Sequence, residues 1–127
     1  MPTVALDTNA LMMPVELDVR VFEELDRLLE GEIDLVTVEP VERELSALSD
    51  GGGAEATAAT VGADLIDRCH VITTDASYAD DAIVELADSG DVDYVVTNDA
   101  PLRDRLLERG VRVIGIRGRN TLGITEP

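Results

Sequence analysis

Asp7, Glu44, Asp80 and Asp99 are the residues through which this chain could do chemistry. Asp7 directly follows the apolar run Val4-Ala5-Leu6, and Asp99 follows Tyr94-Val95-Val96-Thr97 after one residue. Glu44 lies one turn into a helical stretch opened by Pro40, and Asp80 and Asp81 open another that runs to Ala87. Carboxylates gathered at one place repel and raise one another's pKa. A hard divalent cation removes that cost: Mg²⁺ binds one or two carboxylates together with waters and a substrate phosphate. One ion polarises the phosphate and lowers the pKa of water, and a pair also stabilises the leaving oxygen. The four acids therefore suit metal-assisted phosphodiester hydrolysis, with no histidine or cysteine nucleophile.

Each acid has a second reading. Asp99, ahead of Ala100-Pro101-Leu102, is a good helix N-cap. Asp80 and Asp81 suit the positive end of a helix dipole. Glu44 stands with Glu39 and Glu42 and, taken alone, reads as a solvated helix acid. In so acidic a chain the joint placement of the four says more than any one of them. Other candidates are weaker. Cys69 and His70 are neighbours, so on a strand they face opposite sides. Gly51-Gly52-Gly53 does not follow a strand and is no phosphate loop. Arg117 and Arg119, past the last strand, are candidates for RNA phosphate contact, with a surface ion pair as the alternative. Phe22, Tyr78 and Tyr94 are the only aromatics, which argues against an RNA-recognition sheet with its stacked bases.

The elements that must position these acids alternate. Strands are predicted at Val4–Leu6, Leu35–Val38, Val71–Ile72, Asp93–Thr97 and Val111–Ile116. The turn after Asp7 leads into a helix. Val19–Leu29 is helical on the spacing of Val21, Phe22, Leu25, Leu28 and Leu29, and Gly31 stops it. Further helices are predicted from Pro40, over Ala54–Arg68 with Val61, Leu65 and Ile66 facing inward, over Ala79–Ala87, and over Pro101–Arg109, closed by Gly110. The residues after Ile116 read as a polar tail. This order predicts an α/β fold, a parallel sheet with helices on both faces. Ligands bind such sheets at the carboxyl ends of the strands, which is where all four acids fall.

With 127 residues and no linker or repeat, one domain spanning 1–127 is expected. The start does not resemble a signal peptide, and no apolar stretch reaches the roughly 20 residues of a membrane span. One cysteine excludes an internal disulfide, and one Cys with one His are too few for a structural zinc site, so a cytoplasmic protein is expected. The net charge is −17, and all ten basic residues are arginine. The 45% hydrophobic content argues against disorder, and the pattern fits a halophilic protein. In molar salt the Debye length is about 3 Å, so an acidic surface does not exclude RNA.

Four segments resemble, in order, the motifs of PIN-domain nucleases: Leu6-Asp7-Thr8-Asn9, Val41-Glu42-Arg43-Glu44-Leu45, Tyr78-Ala79-Asp80-Asp81-Ala82-Ile83 and Val96-Thr97-Asn98-Asp99. Met12–Leu17, Val21–Leu25, the paired Asp80-Asp81 and Gly110–Arg117 resemble archaeal PIN proteins similar to the endonuclease that cuts pre-ribosomal RNA in small-subunit maturation. VapC-type toxins form the second branch. Two features depart from the first branch: Pro101 stands where a further acid is common, and Asp104 and Glu108 interrupt Arg103, Arg105 and Arg109.

The resemblance implies a three-layer α/β/α sandwich and an Mg²⁺- or Mn²⁺-dependent endoribonuclease. Asp7, Glu44, Asp80 and Asp99 would be the catalytic metal ligands. Asp80 is preferred over Asp81 because Ile83 and Ala87 follow it on one helical face, and Asp81 would be a further ligand or helper. Thr8, Asn9 and Thr97 would hold carboxylates or water by hydrogen bonds. The implied partners are pre-rRNA or another structured RNA, a second copy in a homodimer, and an antitoxin if the chain is toxin-type. A non-catalytic RNA-binding ribosome assembly factor is the alternative. A receiver-like phosphoacceptor needs a lysine, and the chain has none.

Overall fold

The apolar runs that end at Asp7 and Thr97 become neighbouring parallel strands at the centre of one sheet. The computed structural model describes residues 1–127. In chain order the elements are β1 (Thr3–Leu6), α1 (Thr8–Glu16), α2 (Val21–Leu28), β2 (Asp34–Val38), α3 (Glu39–Ser49), α4 (Gly53–Leu65), β3 (His70–Ile72), α5 (Ala79–Asp88), β4 (Tyr94–Val96), α6 (Ala100–Glu108), β5 (Arg112–Ile116) and β6 (Leu122–Thr125). The strand order is β3-β2-β1-β4-β5-β6. The first five strands are parallel: Ala5 of β1 stands opposite Val36 of β2 and Val95 of β4.

The chain runs outward from β1 to β3, then crosses back to β4 and runs the other way to β5. Right-handed crossovers put the helices of these two halves on opposite faces. In keeping with that, α1 and α3 both pack on α4, while α5 packs on α6. The result is a three-layer α/β/α sandwich. Covered on both sides, the central strands are apolar at successive positions: Val4, Ala5 and Leu6 are all fully buried, as are Val95 and Val96. Between β1 and β4 the strand order reverses, which opens a crevice at their carboxyl ends.

The structure corrects three sequence expectations. The residues after Ile116 are not a polar tail. Leu122–Thr125 form an antiparallel sixth strand on β5, with Gly115 opposite Gly123 and Leu122 buried. Its outward backbone is tied down by side chains. Leu122 N–H donates to Glu24 Oε1 at 2.8 Å, Arg27 Nη2 donates to the Leu122 carbonyl at 2.8 Å, and Arg117 Nη2 donates to the Ile124 carbonyl at 2.9 Å.

The inner face of α4 also differs. Ala58, Ala59 and Gly62 are buried there, ahead of Ile66, whereas Val61 and Leu65 are only partly buried. The cause is close approach to α1, where a Cβ on Gly62 would come within 2.9 Å of the Leu11 carbonyl oxygen. Small residues line a contact that larger ones would hold apart. Lastly, α4 ends at Leu65, and Ile66–Arg68 tighten into a 3₁₀ turn.

Candidate active site

Two of the four acids are built in as helix caps. Asp7 closes β1 and caps α1, with Oδ1 accepting from Ala10 N–H at 2.8 Å. Asp99 follows β4 and caps α6, with Oδ1 accepting from Leu102 N–H at 2.9 Å. Thr97, buried at the end of β4, ties the two together. Its hydroxyl donates to Asp7 Oδ2 and accepts from the Asp99 N–H at 3.1 Å. The cap and the functional reading of Asp99 are thus compatible, because the cap uses one carboxylate oxygen and leaves Oδ2 outside it.

Glu44, in the second turn of its helix, and Asp80, in the first turn of another, enter the same place. Glu44 lies in α3, which starts directly at the end of β2 with Pro40 in its first turn. Asp80 lies in the first turn of α5. With Asn9, Tyr78, Asp81, Asp99 and Arg105, these two acids line an open cleft of about 420 Å³. Asp7 does not line it: its side chain is buried beside the cleft, with 2% exposure.

The acids lie close enough for their charges to act on one another. Burial pushes the Asp7 carboxyl up to about 7, against the pull of the Thr97 hydroxyl and the Ala10 N–H, and the charges of Asp80 and Asp99 add to the rise. Glu44 is raised by partial desolvation, although much of the residue is exposed, and then by the charge of Asp80. Asp80 is raised by partial desolvation, then by Asp99, with Arg105 opposing. Asp80 is therefore the hub, coupled to each of the other three. Asp81 is turned to a different partner, with its Oδ1 accepting from Arg105 Nη2 at 3.0 Å on the surface.

Thr8 sits at the start of α1 with its hydroxyl buried and without a hydrogen bond of full geometry, although it is near enough to pull the Glu44 pKa down. No three acids close a cage around one point. The donors present are carboxylate and hydroxyl oxygens on an open cleft. That set fits a hard divalent cation that keeps waters and takes a substrate oxygen. It does not fit zinc, which prefers nitrogen and sulfur. His70 stands at the amino end of the sheet, 3.6 Å from Asp34, and burial pushes the Cys69 thiol up to about 11, so neither takes part.

Arg117 lies folded over Gly123, where its Nε is 2.7 Å from the position a Cβ would occupy. With Arg103, Thr97, Asn98 and Asp99 it lines a small cavity of about 70 Å³ next to the cap of α6. Arg119 is exposed in the β5–β6 turn. Sequence reasoning missed Arg105 and Tyr78 as lining residues. No spacing rule links Arg105 on α6 with Asp81 on α5, and the exposure of Tyr78 depends on tertiary packing.

The sequence matches the family described as "PIN like domain" over residues 4–119. It is 29% identical over 114 residues to ribonuclease VapC4 of Methanocaldococcus jannaschii, with 87% of each chain covered. The fold superposes on the structure of the PIN domain endonuclease Utp24 with a TM-score of 0.80 at 23% identity, covering 98% of this chain and 92% of that one.

Proposed function

Because the chain belongs to the PIN-like domain family, we propose that it is an endoribonuclease, hydrolysing RNA phosphodiesters with Mg²⁺ or Mn²⁺ held by Asp7, Glu44, Asp80 and Asp99. The observation that carries this reading is the convergence of four carboxylates from four separate segments, each coupled in charge to Asp80 and none in an ion pair with an arginine. The name of the M. jannaschii relative supports ribonuclease chemistry.

When bound, the cation supplies a Lewis acid for the phosphate and offsets the mutual repulsion of the acids. The chain's own residues prepare the place for it. Ala10 N–H and the Thr97 hydroxyl fix the Asp7 carboxylate in one orientation, and Leu102 N–H does the same for one oxygen of Asp99. Glu44 and Asp80 are both raised by partial desolvation, and each carries the added charge of a neighbouring acid that a bound cation would offset. Asn9, at the cleft wall, offers a donor to a phosphate. Arg117, which lines a small cavity with Asp99, and Arg119, exposed in the β5–β6 turn, are the further candidates for phosphate contact.

A role in rRNA processing rests on the segments that resemble the archaeal pre-rRNA branch. A toxin ribonuclease with an antitoxin partner is the second reading, favoured by the VapC4 relative. The charge of −17 without lysine supports work at high salt.

The test is cleavage of a labelled structured RNA in molar KCl with Mn²⁺, Mg²⁺ or EDTA, with Asp7→Asn alongside. Metal-dependent cleavage that the variant loses is the expected result. No cleavage and no metal binding by calorimetry would overturn the proposal.

A further inference from the structure

The fold leaves one aromatic ring uncovered. Phe22 lies under the Arg68 guanidinium at 4.7 Å and Tyr94 under that of Arg112 at 5.6 Å. Tyr78 is 78% exposed. Its side chain has no part in starting α5, because Tyr78 caps that helix through its backbone alone, its carbonyl accepting from Ala82 N–H at 2.9 Å. A lone exposed tyrosine is ordinary on a protein surface. This one stands on the wall of the acidic cleft, two residues ahead of Asp80.

The charge distribution gives that position its meaning. The cleft is acidic, so it repels the phosphates of an approaching strand. Six of the ten arginines are engaged with neighbouring carboxylates, which leaves little free positive charge to hold a nucleic-acid backbone. Phosphate contacts also weaken steeply as salt rises. Stacking on an aromatic ring carries no charge, tolerates any base and requires the base to be unpaired.

We propose that Tyr78 is a specificity-determining residue that stacks an unpaired nucleobase beside Asp80, directing the site to loops and single strands in place of duplexes. The proposal rests on the ribonuclease reading above, and concerns which part of the RNA the same cleft takes.

The test uses the whole chain in Mn²⁺ and 2 M KCl, with a hairpin RNA carrying an unpaired loop as substrate. Tyr78→Ala is expected to raise KM by roughly tenfold or more with kcat close to native, while Tyr78→Phe and Tyr78→Trp stay within about twofold. The residue is exposed, so folding is not at stake, and a thermal melt checks that.

The second readout uses the absence of tryptophan. In a Tyr94→Phe background, Tyr78 is the sole tyrosine. Its emission should be quenched by single-stranded oligouridylate in EDTA, but not by a duplex or by an abasic ribose-phosphate oligomer. Unchanged KM in Tyr78→Ala, or equal quenching by the abasic oligomer, would overturn the stack and leave the ribonuclease reading standing. Neither cleavage nor single-strand binding by the native chain would overturn both.

Discussion

The two ends of the sheet treat their acids in opposite ways. At the amino ends of the strands several acids have a partner. Glu126 meets Arg112 at 2.8 Å, Asp88 meets Arg109 at 3.3 Å, Asp34 meets His70 at 3.6 Å, and Asp93 accepts the Thr3 N–H at 2.8 Å. At the carboxyl ends the charge of Asp80 adds to the rise at Asp7 and Glu44 and that of Asp99 to the rise at Asp7 and Asp80, while Arg105, paired with Asp81, opposes only the rise at Asp80. In a chain of net charge −17, being an acid distinguishes nothing. Crowding without an ion-paired arginine does, because the fold keeps an electrostatic cost at one end that it removes at the other.

Breaking the crowded end gives the largest effect. Asp7→Asn is expected to lower RNA cleavage by a thousandfold or more, since the lost charge stabilisation amounts to several kcal/mol. The same change should stabilise the metal-free fold at high pH. The Asp7 pKa is raised on folding from 3.8 to about 7. Its favourable contribution is therefore whole below pH 4 and is lost as pH rises through 7. The full rise corresponds to about 4 kcal/mol. In EDTA, native and variant should melt alike near pH 4, and the variant should melt several degrees higher at pH 8. Saturating Mn²⁺ should reverse that order for the native chain. A native protein that outlasts Asp7→Asn in EDTA at pH 8 would show that the end is not strained by charge.

Removing the link between the two caps comes next. Thr97→Val takes one hydrogen bond from Asp7 and one from the Asp99 N–H. Buried and unpartnered, these groups should cost about 1–3 kcal/mol in chemical denaturation. Activity should fall by roughly 10- to 100-fold, as for other groups that orient ligands. The smallest effect belongs to the opposite end. Glu126→Gln breaks an ion pair whose side chains are 49% and 66% exposed. Stability should move by less than about 0.5 kcal/mol and cleavage not at all. A loss of cleavage there would erase the distinction between the two ends.

The alternation of apolar runs and helical stripes made the five parallel strands legible, and with them the end at which a ligand binds. β6 was not legible. Leu122-Gly123-Ile124-Thr125 is too short to show alternation, and its backbone is held by Glu24, Arg27 and Arg117, two of them from nearly a hundred residues away. The inner face of α4 misled because apolar size usually marks the core, whereas here the fit of Gly62 against Leu11 required small residues. Asp7 and Asp99 could be found from their places at strand ends. Glu44 and Asp80 differ from Glu42 and Asp81 only in direction. The motif spacing to Ile83 and Ala87 favoured Asp80 over Asp81, but the pairing of Asp81 with Arg105 across from α6 is a tertiary fact that residue type does not encode.

The side chains that hold β6 have a consequence beyond the site. A strand at the margin of a sheet normally offers free donors and acceptors to any passing strand, and so invites fibrous aggregation. In dilute solution seventeen negative charges would keep copies apart. In molar salt that repulsion is screened within a few ångströms. Protection then falls to geometry: at one margin the Leu122 N–H and the carbonyls of Leu122 and Ile124 are already occupied, and at the other β3 is only three residues long. The molecule resists sheet-to-sheet growth by the way its edges are finished, under the conditions in which its charge cannot help.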